Sequence, residues 1–162
     1  MKNICLAVLL FCLGGPVMAE PTEVMTLFIV RHAEKVPDKP DPELSALGQQ
    51  RALNLAHLLK HVDLEHVYAT KYQRAQQTAK PTAEMIDVAI TTYAAGDSEA
   101  LIKSVLEQQQ NALIVGHSNT VPELVRLAGG NAIELSEQDY GDVFMLTVVK
   151  DDVITTRLSL EP

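Results

Sequence analysis

The chain has 162 residues, 47% of them hydrophobic and 21% charged, enough for one globular core and too few for a second full domain. Its formal charge of −8 argues against nucleic acid or an anionic membrane surface as a partner. If the substrate is anionic, a local cluster of positive charge must hold it.

In chain order, the first nineteen residues come first and differ in character from the rest. Lys2 supplies a positive start, Ile4 to Leu13 an apolar run, and Pro16-Val17-Met18-Ala19 a small-residue end. This is the pattern of a secretory signal peptide, and the run is too short to span a bilayer. It predicts cleavage after Ala19, a mature domain of residues 20–162 with no stable membrane insertion, and a periplasmic or secreted location. Cys5 and Cys12 leave with the signal, so no disulfide, thiol nucleophile or thiolate metal site is expected. Losing Lys2 leaves 12 basic residues against 21 acidic ones, a net charge of −9.

Val24 to Val30 reads as a buried strand, followed by a polar, proline-rich loop from Arg31 to Glu43. Ser45 is placed to cap a helix in which Leu44, Leu47, Leu55, Leu58, Leu59 and Val62 make one apolar face. Leu64 to Thr70 is a second strand, Gln73 to Ile86 a helix that Pro81 should kink or divide, and Val88 to Thr92 a weak third strand. Asp97 begins a helix with a stripe of Leu101, Ile102, Val105 and Leu106. Ala112 to Val115 is a fourth strand, and Pro122 to Leu127 a short helix stopped by Gly129-Gly130. Asp142 to Lys150 and Val153 to Leu160 form a hairpin turned at Asp151-Asp152. Apolar strands alternating with helices predict a single three-layer α/β domain. Its sheet should be mostly parallel, with helices on both faces and a C-terminal antiparallel hairpin.

In such sheets ligands bind beyond the carboxyl ends of the strands. Arg31-His32 follows the first strand, Arg74 the second, and His117 with Ser118 and Asn119 the fourth. Two guanidiniums and two imidazoles thus converge on one edge of an acidic protein. Arginine offers phosphate a planar fork of donors and a charge that does not titrate. One neutral imidazole can attack phosphorus while the other, protonated, donates to the phosphoryl oxygens. His57, His61 and His66 lie away from this edge and read as surface or structural. His57 and His61 have metal-ligand spacing but no third ligand, so neither a metal nor another cofactor is expected.

These blocks resemble the histidine phosphatase superfamily, also called phosphoglycerate-mutase-like. Arg31-His32-Ala33-Glu34 is similar to its first motif, Leu44-Ser45-Ala46-Leu47-Gly48 to its Leu-Ser-x-x-Gly segment, Arg74-Ala75-Gln76-Gln77-Thr78 to the block with the second arginine, and Gly116-His117-Ser118-Asn119 to that with the second histidine. The resemblance implies that His32 is the nucleophile and that Arg31, Arg74, His117 and Asn119 bind the phosphoryl group. Where many members carry an asparagine after the first motif, this chain has Val36-Pro37-Asp38. Thr91-Thr92-Tyr93 stands where many carry an acidic proton donor. Asp97 is the first candidate for that donor and Glu34 the second, although an aspartate there also reads as a helix N-cap. The short connections resemble the compact phosphohistidine-phosphatase-like members. The expected activity is hydrolysis of a small phosphomonoester, with a phosphomutase or a non-catalytic phosphate-binding protein as alternatives.

Overall fold

The computed structural model describes residues 24–162; the expected signal peptide lies outside the described residues. One six-stranded sheet runs through the domain in the order β3-β2-β4-β1-β5-β6. It is built from β1 (Val24–Arg31), β2 (His66–Thr70), β3 (Ile90–Tyr93), β4 (Ala112–Gly116), β5 (Asp142–Val149) and β6 (Asp152–Ser159). The first four strands are parallel, and β5 joins the free edge of β1 antiparallel and turns back into β6. The helices are α1 (Ala46–Leu59), α2 (Gln73–Met85), α3 (Ser98–Gln108) and α4 (Thr120–Leu127).

Because side chains alternate along a strand, a sheet covered on both faces needs apolar residues at every position of its central strands. Leu27 to Val30 of β1 and Ala112 to Val115 of β4 meet that requirement. Leu27, Ile29, Ala112 and Ile114 face one core, with Ile102 and Val105 of α3 and Leu124 and Val125 of α4. Phe28, Val30, Leu113 and Val115 face the other, with Leu55 and Leu59 of α1 and Ala75, Ala79 and Ala83 of α2. The three-layer architecture expected from the sequence is the one observed.

Local corrections have physical causes. Ser45 does cap α1, accepting from the Gly48 amide, but the buried face is Gly48, Ala52, Leu55, Ala56 and Leu59. Leu47 is 51% exposed and Leu58 43%. Residues 48, 52, 55 and 59 fall on one stripe at 3.6 residues per turn, and Leu47 and Leu58 both lie about 100° to the same side of it. Pro81 does not divide α2, which runs unbroken through it. The buried alanines of that helix hold it against β2 and outweigh the one backbone bond proline cannot make. The hairpin turns at Lys150-Asp151, since Val149 pairs with Asp152, and Lys150 takes the positive φ of 55° that a tight turn needs.

Gly48 positions more than its own helix. A β-carbon there would lie 2.1 Å from the Glu34 carbonyl oxygen, so only glycine lets α1 approach the segment leaving β1 this closely.

Candidate active site

The parallel register sets the site. Arg31 stands beside Gly116, and Ala69 beside Val115, so the chain leaves β1, β2 and β4 at one level. His32 and His117 are the first residues beyond β1 and β4, and Arg74 lies in the first turn of α2. They line a cavity of about 380 Å³ together with Lys35, Tyr72, Ser118, Asn119 and Glu137. A second cavity, of about 310 Å³, lies at the opposite end of the sheet around Val24 and Met25 and holds none of these groups.

His32 is buried, and its backbone amide donates to Gly116 O at 3.0 Å. Its Nδ1 is 2.8 Å from the Ala33 carbonyl oxygen, which only accepts, so Nδ1 carries the proton and Nε2 the lone pair. Arg74 Nε–H donates to that Nε2 at 3.0 Å. His117 has the opposite tautomer: Arg74 Nη2 donates to its Nδ1 at 3.3 Å, so Nε2–H donates to Thr70 Oγ1 at 2.9 Å. The imidazole centroids are 5.3 Å apart. One guanidinium therefore reaches both rings, and it lies 4.7 Å over the Tyr72 ring, which also meets His117 edge-on.

Both imidazoles are neutral near pH 7. Burial, helped by the nearby Arg31 and Arg74 charges, lowers His32 to about 3 against the raising effect of its Ala33 bond. Burial, Arg74 and Arg31 lower His117 to about 4. A cation on either ring of this buried, arginine-lined pocket is disfavoured twice over, and a bound phosphoryl dianion would act in the opposite direction.

Arg31 is placed beside the cavity. Its side chain is 2% exposed, stacks 4.1 Å over Tyr140 and donates from Nη1 to the carbonyls of Ser136 and Asp139. Nη2 meets Glu137 at 3.2 Å, and Nε is buried without a partner. Asn119 lines the cavity. Asp97 does not: it is exposed at the N-cap of α3 and is absent from the lining. Glu34 is drawn off by Arg51 in a 2.6 Å ion pair. Burial raises its carboxyl, but the Arg51 bonds outweigh this and leave it below the usual range.

Sequence reasoning missed Thr70, Tyr72, Lys35, Glu137 and Tyr140. Thr70 ends a strand and Tyr72 adjoins the second arginine block, so their placement was available to a reading of strand ends. Glu137 and Tyr140 had no such signal. They lie in the irregular segment before β5, more than a hundred residues from Arg31, and carry neither periodicity nor motif spacing. Among the described residues no group of three His, Cys, Asp or Glu is arranged to hold a metal ion, and no helix is long and apolar enough to cross a membrane.

Residues 27–95 match the family model of the histidine phosphatase superfamily, branch 1. No curated protein sequence matches the chain. Among solved structures, the protein histidine phosphatase SixA complexed with tungstate is 19% identical, covering 83% of this chain and 97% of that one with a TM-score of 0.68. The α-ribazole phosphatase of Shigella flexneri is 19% identical over 85% of this chain and 96% of that one, with a TM-score of 0.65. A mycobacterial glucosyl-3-phosphoglycerate phosphatase is 13% identical, covering 85% and 99%, with a TM-score of 0.61. These likenesses concern the fold.

Proposed function

From the match of residues 27–95 to the histidine phosphatase superfamily, we propose that the chain is an exported phosphatase of that superfamily, one that hydrolyses a small phosphomonoester through a covalent phosphohistidine on His32. The observation that carries this reading is the state of His32. Its Nδ1–H is bound to Ala33 O, and its Nε2 lone pair accepts from Arg74 Nε–H, both side chains lining the cavity. A neutral imidazole with a fixed tautomer is a ready nucleophile and needs no base to unmask it.

Phosphoryl transfer spreads negative charge over the non-bridging oxygens, so donors already in place do most of the work. As phosphorus approaches, Arg74 Nε–H exchanges Nε2 for a phosphoryl oxygen, and Nη2, anchored beside His117, takes a second. The Nε2–P bond forms as the P–O ester bond breaks in line. The bonding pair leaves with the ester oxygen, which takes a proton from water. Glu34 is held by Arg51, and Asp97 is exposed at the start of α3, so in this reading water is the proton source. A second water then attacks phosphorus, the P–N bond breaks, its pair returns to Nε2, and the water's proton passes to solvent. Throughout, Ala33 O steadies the partial positive charge that develops on the ring.

The test is to mix residues 20–162 with a phosphomonoester, quench in alkali, and locate the phosphate. Acid-labile phosphate on His32, lost together with turnover in His32→Ala, is expected. Full activity in folded His32→Ala protein, or phosphate on another residue only, would refute the mechanism. Export rests on the signal-peptide pattern of residues 1–19, and N-terminal sequencing of native protein should begin at Glu20.

A further inference from the structure

Glu137 has no part in the chemistry above, yet its carboxylate sits at the cavity wall on two donors and beside the Lys35 ammonium. Oε1 accepts from Ser118 Oγ at 2.6 Å. Oε2 accepts from Arg31 Nη2 at 3.2 Å and lies 3.9 Å from Lys35 Nζ. An arginine presents an oxyanion with two forks of donors, and the one formed by Nε and Nη2 matches a phosphoryl group. In Arg31 the Nη1 donors are spent on Ser136 O and Asp139 O. What remains is Nη2, taken by Glu137, and Nε, which is buried and has no partner. A single buried donor left unmatched is costly and uncommon in a native site. One carboxylate oxygen covers half of a fork that a phosphoryl group would cover whole.

The way Glu137 is held also matters. Its side chain is 70% exposed, so polar contacts keep it in place and packing contributes little. The contacts are those an anion makes, and the Ser118 bond, with the charges of Arg31 and Lys35, keeps its carboxyl ionised below the usual range. Arg31 itself does not depend on Glu137 for its position, because two backbone carbonyls and the Tyr140 ring hold the guanidinium independently.

We infer that Glu137 is a specificity-determining residue that sets the oxyanion affinity of this site: an internal carboxylate on the Arg31, Ser118 and Lys35 donors that an incoming phosphoryl group must displace. A tetrahedral dianion bonds both Nε and Nη2 and displaces it; a monoanion of carboxylate type gains little over Glu137 and is discriminated against. This rests on the phosphatase reading only in taking the cavity to be an oxyanion site.

The experiment is titration of tungstate into the 20–162 protein by calorimetry, for the wild type, Glu137→Gln and Glu137→Ala. Glu137→Gln keeps the size and removes the charge; Glu137→Ala removes the competing oxygens. Both are surface changes, and far-UV circular dichroism should match the wild type. The expected result is a Kd lower by roughly three- to tenfold in each variant, the scale of one partly solvated ionic contact. An unchanged or weaker Kd in the folded variants would overturn the inference, because a residue that merely positioned Arg31 would weaken binding when removed. That outcome would leave the phosphatase reading standing as long as the wild type binds. Failure of all three proteins to bind would overturn the oxyanion site itself, and the role of Glu137 with it.

Discussion

Replacing Arg74 by alanine removes a side chain that touches both imidazoles. Its Nε and Nη2 lie 3.0 Å from His32 Nε2 and 3.3 Å from His117 Nδ1, and in the proposed mechanism both turn to the phosphoryl oxygens. Loss of one preorganised donor to a developing oxyanion costs about 2.7–4 kcal/mol, roughly two to three orders of magnitude in kcat. The second donor belongs to the same group, so its loss does not simply add. A fall of about 10²–10³ in kcat is expected, with a smaller rise in KM. The pH profile supplies a second readout. Burial is the main reason both histidines are lowered, but the Arg74 charge contributes to each. Removing that charge raises both, so the acidic limb of kcat/KM, which reports the free enzyme, should move to higher pH. Arg74→Lys restores the charge and hence the limb, but a single ammonium cannot span two acceptors and kcat should stay low. Initial rates on p-nitrophenyl phosphate between pH 3 and 8, with circular dichroism to verify folding, measure both quantities. A folded Arg74→Ala protein with kcat within a few-fold of wild type would refute the assignment of Arg74 to the transferred group.

Three further perturbations follow from the same geometry. Thr70→Val leaves the His117 Nε2–H without its buried acceptor; this should destabilise the fold by about 1–3 kcal/mol in urea titrations and lower kcat by letting the ring turn. Gly48→Ala drives a methyl group into the Glu34 carbonyl; overpacking of this kind costs about 1–3 kcal/mol, and a variant as stable as wild type would show that α1 yields freely. Acidification should destabilise the domain through the two histidines. Their folded values, about 3 and about 4, lie below the ordinary 6.5, so below pH 6.5 the unfolded chain takes up protons that the folded chain does not. The loss begins near pH 6.5 and levels off near pH 4 for His117 and pH 3 for His32, with an upper slope of about 1.4 kcal/mol per pH unit for each. Urea midpoints that stay flat from pH 7 to pH 5 in wild type, or that shift equally in His32→Ala, would contradict this.

The identity of the layers was written in the sequence because hydrophobic period is a local property. Leu27 to Val30 and Ala112 to Val115 are apolar at consecutive positions, and only strands buried on both faces tolerate that. Once the strands were parallel, the residues following them had to share an edge, so His32, Arg74 and His117 were placed together before any coordinate was known. Which leucines of α1 face inward was less legible, because Leu47 and Leu58 extend the apolar pattern beyond the stripe the helix buries.

What tertiary structure alone decided was the chemical state of those residues and the company they keep. Whether an imidazole is charged depends on burial and on charges arriving from other elements. Which of its nitrogens holds the proton depends on single acceptors such as Ala33 O and Thr70 Oγ1. Arg31 and Asp97 show the same limit from the other side. One is a phosphate ligand by residue type, yet the segment before β5 engages it with Ser136, Glu137, Asp139 and Tyr140. The other is acidic and near in sequence, yet the start of α3 carries it to solvent. Residue type is local, whereas a donor's partner is chosen by whatever chain the packing brings within 3 Å of it, and no pattern along the sequence encodes that distance.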